Sequence, residues 1–182
     1  MDNTYFIIGG SVLFLVVLWI AVGARHMGLL RKSASGSWEF ADEKVRKRHD
    51  VAPILAEVLR TGIGEENGKG ELEKLILGMV EARNQARLII VASGDKTEKE
   101  YDFSKTLVDL IRFGDIREIL SKDVRFLELK KELEDLNCDI ENRAKEYNES
   151  VRTYNSKRAT VLYKPVGFLF RFRQKKIFEF EK

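Results

Sequence analysis

Twenty consecutive residues without a charged side chain, Tyr5 to Ala24, constrain this chain more than any other feature. As an α-helix they span about 30 Å, the thickness of the hydrocarbon core of a bilayer, so residues 5–24 are predicted to be a transmembrane helix. A cleaved signal peptide is the competing reading, because Val22, Gly23 and Ala24 close the run with small residues. Signal peptides carry positive charge ahead of the apolar stretch. Here the only charge ahead is Asp2, and the cations Arg25, Arg31 and Lys32 come after. The same asymmetry predicts orientation, since Lys and Arg beside a span stay on the cytoplasmic side. Residues 1–4 are then an extracytoplasmic tail, residues 25–33 a basic juxtamembrane segment, and the rest of the chain cytoplasmic. The expected location is the cytoplasmic membrane, crossed once with the N-terminus out. Trp19, near the inner end, fits an interfacial aromatic.

Beyond the basic segment, 34% charged residues and only two prolines favour long helices. Trp38, Ala41, Val45, Arg48, Ala52, Leu55 and Leu59 recur at intervals of three and four, which predicts a helix over about 34–61, with a kink or short break at Pro53. Gly62, Gly64, Gly68 and Gly70 mark a loop. Leu72, Ile76, Met79, Arg83, Ala86 and Ile90 predict a second helix ending near Ser93. The polar stretch from Ser93 to Glu100 reads as a turn. Tyr101, Leu107, Leu110 and Ile111 mark a shorter third helix stopping around Gly114, and a further turn follows at 116–120. Phe126, Leu129, Leu133, Leu136, Ile140, Arg143 or Ala144, Tyr147, Val151 and Tyr154 predict a fourth helix over about 124–159. The fold class is all-α: a single transmembrane helix followed by an antiparallel four-helix-bundle-like domain of long helices, residues 34–159.

The net charge of +3 is unevenly distributed. Residues 33–159 hold 23 basic and 26 acidic side chains, whereas residues 160–182 hold six basic and two acidic. Each short connection reverses direction, so the fourth helix returns towards the membrane. The tail, 160–182, alternates aromatics with cations, a composition suited to an anionic membrane surface. Arg25, Arg31, Lys32, Phe168, Phe170, Arg171, Phe172, Arg173, Lys175 and Lys176 are the candidate membrane-surface residues. The competing reading packs the tail onto the bundle.

No catalytic constellation emerges. Residues 62–70 lack the glycine and the Ser or Thr that a Walker A loop requires. His26 and His49 have no second ligand at helical spacing, and Ser35, Ser37 and His49 lack a nucleophile elbow. Cys138, the only cysteine, reads as a small core or boundary residue. The expectation is a non-enzymatic chain with no cofactor, no metal and no nucleic-acid partner. Its partners would be membrane lipid and either another protein or a second copy. Arg48, Arg83 and Arg143 fall on or beside slots of the apolar stripes. With Asp50 and Glu81 they form a candidate polar layer, Asn148 and Asn155 being further possible partners, unless each arginine lies at its stripe's edge with its head in water. An anion- or lipid-headgroup-sensing module built on these arginines is the alternative function. Tyr147, Asn148, Tyr154 and Asn155, repeating at seven, are a candidate interaction stripe or ordinary core packing.

Taken in order, Ser37-Trp38, Lys44 to Leu55, Val80 to Ala86, Leu129 to Leu133 and Ile140 to Asn155 resemble the LemA family. The anchor, the helical domain and the FxF-like ending are similar as well. The resemblance implies a bacterial membrane-associated helical protein and no defined reaction. The chain departs from the family pattern in four places. Asp50 to Leu55 stand for the family's Asp-Leu-Ile-Pro-Asn-Leu, a Tyr-Pro before the last helix is absent, Asn137 replaces a Glu, and Ala144 replaces an Arg, with Arg143 one place earlier.

Overall fold

The computed structural model describes residues 2–63 and 68–180, with side chains from residue 6 onward. Met1 of the expected tail, Gly64 of the loop and residues 181–182 lie outside the described residues. The chain is all-helical, and no strand occurs among the described residues. Helix α1 runs from Asp2 to Gly62, α2 from Lys69 to Leu88, α3 from Gly94 to Asp115, α4 from Glu118 to Ser121, α5 from Val124 to Ala159 and α6 from Lys164 to Leu169. A 3₁₀ turn, Val161–Tyr163, joins α5 to α6.

Helix α1 is longer than expected. The apolar run, the basic segment and the helix expected from residue 34 are one continuous helix. Gly23, Met27 and Ala34 are buried at the same three-and-four spacing that continues through Ala41, Val45 and Arg48 to Leu59, so one stripe runs past the Gly and Ser residues between. Glycine in a helix interior costs about 1 kcal/mol, which packing along such a stripe offsets.

Pro53 does not break the helix either. Proline has no N–H for the carbonyl four residues back, here that of His49. Arg83 of α2 fills the gap: its Nε donates to the His49 carbonyl oxygen at 2.6 Å. Arg83→Met therefore destabilises the chain by about 1–3 kcal/mol, the cost of a buried unsatisfied carbonyl. The same change in a Pro53→Ala background has a much smaller effect, because the amide of residue 53 again serves that carbonyl. A double-mutant cycle on thermal unfolding measures the difference; equal effects in both backgrounds refute the pairing.

Two compact units are formed, and neither is continuous in sequence. One comprises residues 1–36 and 149–175. In it Val166 of α6 is buried against α1 at Gly23, where an added Cβ would lie 3.1 Å from the valine Cγ2. Tyr163 stacks on His26 at 5.7 Å.

The other unit comprises residues 37–148 and 176–182 and holds the main core. Leu55 and Leu59 of α1, Leu72 and Met79 of α2, Phe103 and Leu110 of α3, and Phe126 and Leu133 of α5 are buried together. Pairing runs 60 with 73 and 49 with 83 between α1 and α2, and 44 with 139 and 47 with 132 between α1 and α5, so these neighbours are antiparallel. Gly114 of α3 is a close approach, since a Cβ there would strike the Phe126 ring.

Two boundaries differ from expectation. Helix α2 stops at Leu88, where Ile89 turns extended, and Ile90 is exposed rather than part of the stripe. The polar segment taken for a turn is the first two turns of α3, because the Ser93 hydroxyl caps it by accepting from the Lys96 N–H at 3.1 Å. Cys138 is exposed on α5, not a core residue.

Candidate functional site

The strongest concentration of buried polar chemistry lies in the second unit, around Arg48. The α1 stripe drives this arginine into the core, where it is fully buried. Its Nη2 donates to Glu100 Oε2 at 2.7 Å, and its Nη1 to Ser104 Oγ at 2.9 Å and Asn137 Oδ1 at 3.1 Å. The guanidinium carbon lies 5.2 Å from the centre of the Phe103 ring and 4.8 Å from that of Phe180. Lys96 Nζ is 2.9 Å from Glu100 Oε1 and donates to the Ala86 carbonyl. Two cations thus share one carboxylate in an enclosed space, a costly arrangement that only close pairing sustains.

His49 completes the cluster, with Nε2 3.0 Å from Glu100 Oε2. Its Nδ1 has no partner among the described residues. A neutral ring donating through Nε2 leaves only an acceptor lone pair unmet, whereas a protonated ring would strand a buried N–H. Burial accordingly holds the His49 pKa below its ordinary value, the Glu100 hydrogen bond and charge opposing this and the nearby Arg48 and Lys96 charges adding to it. Burial alone would raise the Glu100 pKa, but the hydrogen bond from His49 and the charges of Arg48 and Lys96 outweigh it and bring it down to about 2.

The arginines do not converge on one layer. Arg48 is enclosed. Arg83 is half-buried and serves the His49 carbonyl, its Nη2 lying 3.5 Å from Asp50. Arg143 pairs with Glu146 on the outside of α5, and Glu81 is exposed beside Gln85. Lys96, Glu100, Ser104 and Asn137 were missed from the sequence. A signal existed: stepping back from Leu110 by three and four gives Leu107, Phe103, Glu100 and Lys96, so two charged residues occupy stripe slots of α3.

The stripe of Tyr147, Asn148, Tyr154 and Asn155 holds the chain's own tail. In the first unit Tyr154 donates to the Arg173 carbonyl, while Asn155 donates to the carbonyl of Lys175 and accepts from its N–H. In the second, Tyr147 donates to the Lys176 carbonyl, and Asn148 donates to and accepts from Phe178 in the same way. Seven residues of helix rise about 10.5 Å and three residues of extended chain about 10 Å, so a Tyr-Asn pair every seven residues meets the tail every three. Phe178 is fully buried and packs edge-on against Trp38, whose Nε1 donates to the Ile90 carbonyl at 3.0 Å. Burial pushes the Tyr147 pKa up to about 12, so its hydroxyl remains a donor at ordinary pH.

Among the candidate membrane-surface residues, Arg25, Arg31, Lys32, Phe168, Phe170, Arg171, Arg173 and Lys176 are exposed. Phe172 and Lys175 are half-buried. The described residues contain no group of three or more His, Cys, Asp or Glu able to hold a metal ion.

The model of the LemA family matches residues 37–182. The chain belongs to the LemA family. No curated protein matches it in sequence comparison. The matched region of this LemA chain includes every residue of the Arg48 cluster and both Tyr-Asn pairs. Asn137, one of the departures named above, lies inside the cluster and meets Arg48 with a neutral amide.

Proposed function

We propose that this LemA-family chain is a non-enzymatic interaction protein of the cytoplasmic membrane, anchored by α1 with its N-terminus outside and its bundle in the cytoplasm. One observation carries the anchoring: of the window of α1 apolar enough to cross a membrane, only 6% is buried within the chain, which fits a segment whose apolar side chains, Phe6 to Val22, meet lipid. The cations that follow it favour the cytoplasmic side. A non-catalytic role is supported by the interior, where Arg48, His49, Glu100 and Ser104 mainly satisfy one another in an enclosed space. Outward-facing Leu77, Leu88, Ile90 and Val91, on and just after α2, offer apolar contact to another protein or a second copy.

Cys138 supplies the test, being the only cysteine and exposed. A membrane-impermeant maleimide leaves it unlabelled in intact cells and labels it once the membrane is opened. Crosslinking in membranes then yields adducts that Leu77→Glu with Leu88→Glu abolishes without lowering the melting temperature. Labelling in intact cells overturns the orientation, and a chain with no crosslinked neighbour overturns the interaction role.

A further inference from the structure

The first unit contains a basic cleft that none of the chemistry above uses. It lies where the chain leaves α5 through the 3₁₀ turn and α6, and encloses about 820 Å³. Arg158, Lys164, Arg171 and Arg173 line it beside Phe168 and Leu169, with no acidic side chain among the lining residues. The surrounding unit holds ten Lys and Arg against two acidic residues.

Two local features set Arg158 and Arg171 apart from ordinary surface charges. Arg158 Nε is shielded from solvent and has no partner among the described residues, although an unmet buried donor is unfavourable. Arg171 occupies a left-handed conformation, φ 52°, at the end of α6. The Phe172 N–H bonds the Gly167 carbonyl and the Arg171 N–H the Phe168 carbonyl, the Schellman pattern in which this position is normally glycine. Backbone strain is thus tolerated where glycine would remove it, and what arginine adds is a guanidinium in the cleft.

The position selects the ligand. Within this unit α6 packs on Gly23, and Tyr163 of the preceding turn stacks on His26, immediately after the apolar run ends. Phe168 is 89% exposed, and Val161, Leu162 and Leu169 are exposed as well, the arrangement of a segment whose apolar side chains enter acyl chains while its cations stay among headgroups. We infer that the cleft binds the phosphate of an anionic phospholipid of the membrane that holds α1. The inference rests on the anchoring proposed above and adds a site and a ligand class to it.

The full chain, purified in detergent and reconstituted into vesicles of phosphatidylcholine with and without phosphatidylglycerol, tests this by flotation and by the lipid that co-purifies. Wild type retains phosphatidylglycerol selectively. Each cation removed weakens that retention about fivefold, so Arg158→Gln, Arg171→Gly and Arg173→Gln together reduce it on the order of 100-fold. Arg171→Gly alone keeps or raises the melting temperature while weakening retention, which separates ligand binding from folding. Lys74→Gln, Arg125→Gln and Lys131→Gln together, an equal charge change on exposed positions of the other unit, leave retention unchanged. Undiminished retention in the cleft triple variant, or displacement of the lipid by millimolar inorganic phosphate, overturns the inference while the chain still floats with neutral vesicles. Failure to float with any vesicle overturns the anchor and the inference with it.

Discussion

Replacing Glu100 with glutamine lowers the melting temperature of the detergent-solubilised chain at pH 7 by roughly 10 °C. Among the described residues, Glu100 is the only carboxylate that Arg48 and Lys96 contact in the core. Removing one partner of a buried ion pair costs about 3–5 kcal/mol, because the remaining charge stays buried without compensation, and each kcal/mol moves a domain of this size by about 2–4 °C. Glutamine preserves the volume, so a cavity does not account for the loss. Adding Arg48→Met to Glu100→Gln recovers part of it, since the larger stranded charge is removed as well.

The pH dependence has a definite sign. Glu100, depressed to about 2, contributes stability that is complete above its unfolded value of 4.5 and is lost as pH falls through that range. His49, whose pKa is lowered, is held neutral; its contribution is complete above its unfolded value of 6.5 and declines below it. Both groups therefore weaken the fold on acidification, and the melting temperature falls from pH 6.5 downward, most steeply below 4.5. In Glu100→Gln the acid limb due to this carboxyl is absent. A melting temperature unchanged at pH 7, or acid limbs identical in the two proteins, would falsify the role given to Glu100.

Phe178→Ala releases the extended tail that the two Tyr-Asn pairs hold, residues 173–178, called the strap below. The hydrogen bonds from the two Tyr-Asn pairs contribute about 1 kcal/mol each, and ordering the strap backbone costs about the same per residue, so these two terms nearly cancel. Burial of Phe178 decides the balance, and truncating a buried phenylalanine costs about 3–5 kcal/mol. Trypsin reads the outcome directly, because Arg171, Arg173, Lys175 and Lys176 all lie on or beside the strap. Where cleavage tracks the open population, cutting there accelerates on the order of 100-fold. Sites on α5 stay protected, since α5 keeps its own core contacts. Equal cleavage rates in variant and wild type would show that the strap is not held by Phe178.

Much of the secondary structure was legible. The boundaries of α5 and the stripes of α1, α2 and α5 follow from apolar side chains at three-and-four spacing, which a helix must turn to one side. At the start of α3 the obstacle is polar residues in stripe slots. Lys96 and Glu100 made the start of α3 look like a turn, because polar composition was weighed above the phase set by Phe103 and Leu107. Pro53 suggested a kink or a short break, since proline in isolation leaves a carbonyl unmet; the donor that meets it, Arg83, lies thirty residues away.

The chain alone determines what is local: an apolar length sufficient to cross a bilayer, the faces of the helices, and the family to which they belong. Periodicity assigns a residue to a face but not to a partner across the core. Which cation meets Glu100, and whether Tyr147 and Asn148 hold a foreign segment or their own tail, depend on side chains from distant parts of the sequence meeting at one height. The crossing of packed helices and the return of the extended tail set those meetings, and hydrogen bonds of about 3 Å tolerate little error in either.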